Sequence, residues 1–469
     1  MEQIIGREIE TDALSKFYDS GRPEFIALYG RRRVGKTFIV RSFFKDKFDF
    51  FATGILEGTC EEELKSFNDS LVEYGYKGLT PSNWMDAFKA LSGLIAKTKR
   101  RKRCVIFLDE VSCFDTPNSG FIRALGHFWN KYASLQDNVF MIICGSATSW
   151  MTKNVINSKG GLHNRRTHEM HLHPFNLAKT EQYFLSRKAR WSRLSILQTY
   201  MVLGGIPYYL SLLDMDESLP ANIDNLFFSE DAPMRSEYRR LYRSVFKSPE
   251  RYMDVIRLLY ANKTGLTRTQ ISEAAHIDSG SGLTDMLEDL VSCDFIRSYR
   301  NGLKRNGEIY QLMDFYTMFY LQFCANPSTD RNYWKNTLNS PSQNNWYGLS
   351  YERVCMAHIQ EILKVLHLDT IHTEYYSFRS KDKAGKVQID LIIDRSDDFV
   401  SIVEIKYSRG KYEMTVEERE KIERRVSAFI NETKTRKGVQ TVLVTTFGCE
   451  PNRNSDVCQR FLTLEDLFA

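Results

Sequence analysis

Residues 30–37 read Gly-Arg-Arg-Arg-Val-Gly-Lys-Thr, and this octapeptide restricts the fold more than any other stretch of the chain. It fits G-x-x-x-x-G-K-[ST], where the glycines let backbone N–H groups curl around phosphate oxygens. An apolar run at 25–29 precedes it and an amphipathic run at 37–44 follows. The pattern predicts a strand leading into the loop and a helix leading out, with the helix N-terminus facing the anion. The expected nucleotide-binding segment is Gly30, Arg31, Arg32, Arg33, Val34, Gly35, Lys36, Thr37 and Phe38. Lys36 reaches the β/γ-phosphates and takes part in catalysis, and Thr37 is a metal ligand, so the cofactors expected are ATP and Mg²⁺.

A second apolar run, 105–108, ends in Asp109-Glu110. A buried strand would carry both carboxylates out at its C-terminal edge. Asp109 is the second metal ligand expected, and Glu110 the group that orients and deprotonates the attacking water. Such a pair suits water activation better than transfer to a small acceptor, which argues against a nucleotide kinase. A third run, 139–144, ends in Gly145-Ser146, where a polar residue can sense the γ-phosphate; Ser146 is the candidate. Arg165-Arg166 follows a glycine-rich turn and could stabilise transition-state charge, in cis or across the interface of a homo-oligomer. The alternative is a solvated arginine pair. Residues 97–103 hold six basic residues of seven, read as a solvated helix end and loop or as a nucleic-acid contact.

At 469 residues the chain should form about three units. Residues 1–180 alternate apolar runs with helical stretches, the pattern of a parallel α/β sheet. Residues 181–247 read as a helical lid broken by Gly204-Gly205-Ile206-Pro207. Residues 248–325 read as three short helices (251–260, 268–275, 283–292) and a hairpin turning at Asn301-Gly302, which makes a winged helix-turn-helix. The polar stretch 326–345 fits a linker. Residues 346–469 read as a separate α/β unit: a helix at 349–366, strands at 388–394, 400–406 and 439–446, and a helix at 416–431.

The net charge is only +5, so the overall balance does not itself argue for nucleic acid. No run of about 18 apolar residues occurs, so no membrane helix is expected. Met1 to Glu8 lacks a signal-peptide core. The nine cysteines form no C-x-x-C pair, and buried reduced thiols in a cytoplasmic protein are the expectation.

Ile5-Gly6-Arg7-Glu8, the P-loop with its preceding Leu28-Tyr29, Leu108-Asp109-Glu110, Cys144-Gly145-Ser146 and residues 204–210 (Gly-Gly-Ile-Pro-Tyr-Tyr-Leu) together resemble the archaeal-type ATPases of prokaryotes. That family is a branch of the AAA+/STAND P-loop proteins, and the resemblance covers essentially the whole chain. It implies an additional-strand P-loop fold with ATPase activity, and it sets Gly6 and Arg7 near the adenine. The family often shows Gly-Arg after its sensor strand. This chain reads His163-Asn164-Arg165-Arg166, so either arginine could take the finger role.

In the C-terminal unit, Glu404 and Lys406 lie two apart on one strand and so share a face. A hairpin brings Asp390 beside them, and Glu352 lies on the preceding helix. The set Glu352, Asp390, Glu404 and Lys406 resembles the PD-(D/E)xK core of restriction-endonuclease-like α/β domains. The resemblance implies metal ligation by Asp390 and Glu404, and water activation by Lys406 for attack on a phosphodiester. The same fold can also persist with an inactive site. In the helix-turn-helix unit, Asp285, Glu288 and Asp289 on the third helix would repel phosphates, whereas the wing carries Arg297, Arg300, Lys304 and Arg305. Two functions fit: an ATP-dependent enzyme acting on DNA, and a STAND-type switch that gates a protein partner without cutting.

Overall fold

The computed structural model describes residues 3–97, 102–157, 160–162, 165–246, 248–300, 307–326, 328–380 and 387–469. The N-terminal part is built on a parallel sheet of β1 (Glu24–Tyr29), β2 (Phe50–Thr53), β3 (Cys104–Asp109), β4 (Val139–Gly145) and β5 (His168–His171), in the order β2-β3-β4-β1-β5. Successive residues on the central strands alternate between two cores. Ile26, Leu28, Phe107 and Ile142 enter one; Phe25, Ala27, Ile106, Leu108, Met141 and Ile143 enter the other. Burial on both faces explains why these strands read as continuous apolar runs. β2 and β5 escape the sequence reading because each is four residues long, and β5 spends three of its four positions on His168, Glu169 and His171.

Helices Leu177–Ser186, Arg193–Leu203 and Pro233–Val245 form most of the lid. Gly205 lies against the chain after β5: a Cβ there would stand 1.8 Å from the Phe175 carbonyl oxygen, so only glycine fits. Next come helix Pro249–Ala261, β6 (Leu266–Thr267), helices Arg268–Ala275 and Ser281–Ser292, β7 (Ile296–Arg300) and β8 (Glu308–Leu312). The three strands form an antiparallel sheet in the order β6-β8-β7. Thr267 and Gln270 make a reciprocal capping box that starts the middle helix. The turn at Asn301-Gly302, with Lys304 and Arg305, lies outside the described residues.

The linker expected at 326–345 is instead folded. Trp334, on the short helix Tyr333–Asn336, is fully buried, and the Asp224 carboxylate accepts from the Trp334 and Lys335 amides at 2.7 and 3.2 Å. Ser340 caps a helix that begins at Pro341, eight residues before the expected start. The polar residues there are caps and turn-formers, which composition alone reads as linker. The expected single helix also breaks at His358 into Pro341–Ala357 and Ile359–Val365. The buried His358 ring accepts from the Leu177 amide at 2.9 Å and so joins this region to the lid.

The C-terminal sheet holds β9 (Thr373–Arg379), β10 (Gln388–Arg395), β11 (Phe399–Lys406), β12 (Gly438–Thr445) and β13 (Arg460–Leu462), ordered β13-β12-β11-β10-β9. β9, β10 and β11 run antiparallel; β11, β12 and β13 run parallel, with helix Val416–Thr433 crossing between β11 and β12. This unit is not separate from the rest. One apolar core runs from Leu28 of β1 through Tyr200 and Tyr316 to Leu391, Val403 and Phe468. Among the described residues no helix is long and apolar enough to cross a membrane. Cys144, Cys293, Cys324, Cys355 and Cys458 are buried thiols that pack as small apolar groups.

Candidate nucleotide-binding and catalytic site

The P-loop leaves β1 and turns into helix Lys36–Phe44, with Gly35 in the left-handed region (φ 93°) as its N-cap. Gly30 has φ 144°, and a Cβ there would lie 2.2 Å from the Leu172 carbonyl oxygen, so the loop passes directly over the end of β5. Lys36 Nζ donates to the Gly30 and Arg31 carbonyls, at 2.9 Å each, which holds the buried ammonium across the loop mouth. Thr37 Oγ1 donates to Asp109 Oδ2 at 2.7 Å. Burial is the main cause that lifts the Asp109 carboxyl above its ordinary range, and Thr37 pulls it back. A hydroxyl beside a carboxylate supplies hard oxygen donors, the set that suits Mg²⁺.

Glu110 adopts a left-handed backbone (φ 45°) just past β3. Its carboxylate accepts from Ser146 Oγ at 2.6 Å and from the Ser146 amide at 3.1 Å. The Ser146 hydroxyl, expected as the γ-phosphate sensor, lines the cavity and orients Glu110 in this arrangement. A cavity of about 580 Å³ opens over these groups, lined by Arg7, Arg32, Arg33, Val34, Gly35, Lys36, Thr37, Phe38, Glu110 and Ser146. Its far wall is Phe175, Tyr183, Arg187 and Tyr208, none of which the sequence reading assigned to the site. Only Tyr208 carried a signal, as part of the segment at 204–210. Arg7 donates to the Val34 and His173 carbonyls at 3.0 and 2.9 Å and lies 4.7 Å over the Phe175 ring. Gly6 (φ 64°) turns the chain before Arg7 and does not itself line the cavity.

Two loop arginines pair with distant carboxylates, Arg31 away from the cavity and Arg33 at its edge. Arg31, expected at the nucleotide, turns its guanidinium inward to Asp314 at 2.6 Å, with both side chains 2% exposed. Asp314 also caps helix Phe315–Phe319 by accepting from the Thr317 amide. Arg33 makes a two-pronged pair with Glu237 of the lid, 2.5 and 2.7 Å, under the Tyr208 ring at 3.9 Å. The P-loop is thereby tied to the lid and to the region after β8.

Arg165 and Arg166 do not reach the cavity. Arg166 donates to the Ile156 carbonyl at 2.6 Å and to Glu169 at 3.1 Å, and Arg165 is exposed. The in-cis finger is therefore not met in this arrangement, and His163-Asn164 lies outside the described residues. Of the basic run at 97–103, Arg103 donates to the Arg22, Asp137 and Phe17 carbonyls, a structural role; residues 98–101 lie outside the described residues.

At the C-terminal sheet, Asp390 and Glu404 lie one step beyond the paired Leu391 and Val403, so they face each other across β10 and β11. Burial, then Asp390 and Glu404, pushes the Glu352 carboxyl up to about 7. Glu404 is held by Lys406 at 3.1 Å and by Arg425 from helix Val416–Thr433. Asp390 accepts from Gln388 at 2.6 Å. Among the described residues, Glu352, Asp390 and Glu404 do not bring one oxygen each within 4.8 Å of the others. Charged groups of β7 and of helix Ser281–Ser292 are paired within the chain, several of them at its surface. Arg297 donates to Gln311, Arg300 faces Glu374 of β9 at 3.6 Å, and Asp285 and Asp289 face Lys153 at 3.5 and 3.6 Å.

The strand–loop–helix, its buried lysine and the paired carboxylates define a P-loop nucleotide-binding domain. Residues 4–213 match the family model of an ATPase domain predominantly from Archaea. The chain is 26% identical over 334 residues to an uncharacterized protein of Methanocaldococcus jannaschii, 68% of either chain. Among solved structures it is similar to a Walker-type ATPase of Pyrococcus abyssi (19% identity, TM-score 0.48, 68% of this chain and 96% of that one). It is also similar to the Aeropyrum pernix ORC2 protein in its ADPNP–ADP complexes (14% identity, TM-score 0.40, 66% and 90%).

Proposed function

We propose that this chain binds ATP with Mg²⁺ and hydrolyses it at the cavity above β1, β3 and β4, and that the nucleotide state acts on its C-terminal half. The observation that carries this is the meeting of Lys36, the Thr37–Asp109 pair and the Glu110–Ser146 pair at one cavity. The P-loop amides and the helix N-terminus bind the phosphates, and Lys36 stabilises charge on the γ-phosphate. Thr37 and Asp109 would hold Mg²⁺, which neutralises the phosphate oxygens when bound. Glu110 takes the proton from the attacking water, and Ser146 aims it. Arg7 and Phe175 form the side of the cavity suited to a planar base. Arg165, being exposed, is free to act on a neighbouring copy in a homo-oligomer. The test is Glu110→Gln: ATP binding should persist while phosphate release falls by about 10²–10⁴-fold. Undiminished turnover would move the base elsewhere.

For the output, the reading is a winged helix followed by a PD-(D/E)xK-like domain that acts on DNA. It is supported by Glu352, Asp390, Glu404 and Lys406 gathering on one side of the C-terminal sheet. A second reading, a switch acting through a protein partner without cutting, is favoured by a specific observation. Arg297, Arg300 and the acidic third helix are engaged within the molecule, and Glu404 is held by two cations. Incubation with supercoiled and linear DNA and Mg²⁺ or Mn²⁺, with and without ATP, separates the two. Cutting lost in Asp390→Ala supports the first; no cutting with either metal supports the second.

A further inference from the structure

Behind the P-loop, away from the nucleotide cavity, three potential ligands converge. His171 ends β5, and His173 follows two residues on, with Leu172 between them fully buried in the core. The period-two alternation of an extended chain sends both imidazoles to the same side, and their ring centroids are 3.9 Å apart. Asp294 comes from a distant part of the sequence, the turn between helix Ser281–Ser292 and β7, where its left-handed backbone (φ 57°) redirects the chain. One ligand atom from each of the three lies within 4.8 Å of the others.

We propose that His171, His173 and Asp294 form a binding site for a divalent transition-metal ion of the Zn²⁺ or Co²⁺ type.

Three details support an ion over a plain His–Asp pair. The first is spacing: His173 Nδ1 and Asp294 Oδ2 are 3.4 Å apart. That is longer than a charge-assisted hydrogen bond, about 2.7–2.9 Å. It equals the separation of two ligands at about 2.0–2.1 Å around a tetrahedral ion, roughly 3.3–3.4 Å. The second is an orphan: His171 Nε2 is shielded from solvent and has no hydrogen-bond partner. A buried ring nitrogen without a partner is costly, and a metal bond satisfies it. The third is orientation: the His171 ring is stacked 4.6 Å from Tyr29, at 15°, which limits the rotation of its plane. Two imidazoles and one carboxylate suit Zn²⁺ or Co²⁺ rather than Mg²⁺. The exposed edge at His173 gives the ion an entry path, and water completes the shell.

The position gives the site a consequence. The Leu172 amide donates to the Tyr29 carbonyl at 2.8 Å, immediately before the P-loop, and Arg7 of the nucleotide cavity donates to the His173 carbonyl. Asp294 belongs to the helical and hairpin unit. An ion there clips that unit to the back of the loop, beside the buried Arg31–Asp314 pair.

The test uses the full chain, stripped with chelator and titrated with Co²⁺ alone, without nucleotide or Mg²⁺. The expected result is one Co²⁺ per chain with a visible absorption band that Zn²⁺ displaces, and a melting temperature that rises with Zn²⁺. His173→Ala and Asp294→Asn should each weaken Co²⁺ at least tenfold and abolish the Zn²⁺-dependent rise. Their metal-free circular dichroism and melting should match the wild type, and Asp109→Asn should leave the band unchanged. No band at 100-fold excess of Co²⁺ over protein, or a band that persists in both variants, would overturn the assignment. A variant that fails to fold is replaced by His173→Gln, which keeps the volume and must give the same loss.

Discussion

At the nucleotide cleft, Asp109 and Glu110 meet hydroxyl and amide donors from Thr37 and Ser146, whereas at the C-terminal sheet Glu404 meets the cations Lys406 and Arg425. The difference lies in what is left over. Neutral donors orient a carboxylate and leave its charge available to a metal or a proton. Paired cations consume the charge. The first arrangement also faces a cavity of about 580 Å³. In the second, burial raises Glu352 to about 7 and its oxygens and those of Asp390 and Glu404 do not all come within 4.8 Å of one another. One cluster is therefore arranged to act on a ligand as it stands; the other must first exchange a cationic side chain for one.

The largest effect should come from the tie that lets the cleft address the rest of the chain. Arg31→Met leaves Asp314 buried without its cation and should cost about 3–5 kcal/mol of stability, read by urea unfolding. The double variant Arg31→Met with Asp314→Leu should recover most of that loss. If the single variant melts like the wild type, the pair does not fasten the P-loop to the downstream region, and the comparison loses its link.

Lys36→Ala addresses the cleft itself. Removing its charge-assisted bonds to phosphate should weaken ATP on the order of 100-fold, measured by calorimetric titration. Binding within a few-fold of the wild type would refute the P-loop assignment. Arg425→Gln addresses the other cluster. Freed of one cation, Glu404 should take Mn²⁺ roughly tenfold more tightly, read by titration of the metal with the P-loop held in Lys36→Ala. An unchanged affinity would mean that Arg425 does not compete with metal there, and that the two clusters differ by less than their pairing suggests.

How much of this was legible before the fold is itself uneven. The P-loop, β3 with its two carboxylates and β4 were readable because each couples a long apolar run to a turn or polar end. β2 and β5 were not, being short and, for β5, polar. Residues 326–345 misled because serine and asparagine serve both linkers and helix caps, and only burial of Trp334 separates the two. Lys36 and Thr37 are legible together because neighbours in sequence are neighbours in one loop, and Glu110 because it follows directly on the apolar run of β3. Arg31 is not, since its partner Asp314 is 283 residues away. Phe175 and Tyr183 close the cavity from another element, and no local pattern marks an aromatic as cavity wall rather than core.

The smallest test concerns a carboxylate that neither cluster uses. Glu63, in the first turn of helix Cys60–Glu73, is fully buried, accepts from the Ile55 amide at 2.9 Å, and is pushed by burial to about 7. Glu352 is pushed as far, but with two carboxylates beside it. At Glu63 burial is the largest cause, with Glu62 the one carboxylate that adds to it. An acid whose folded value lies above its unfolded value of 4.5 holds its proton more tightly in the folded state. Stability should therefore fall as pH rises from 4.5 to 7 and stay reduced above it. Glu63→Gln keeps the acceptor for Ile55 and removes the titration. It should melt roughly 2–4 °C above the wild type at pH 8 and level with it near pH 4.5. An equal melting temperature at both pH values would show that the Glu63 charge is solvated, and the cost of Glu352 would then be assigned to its neighbours and not to burial.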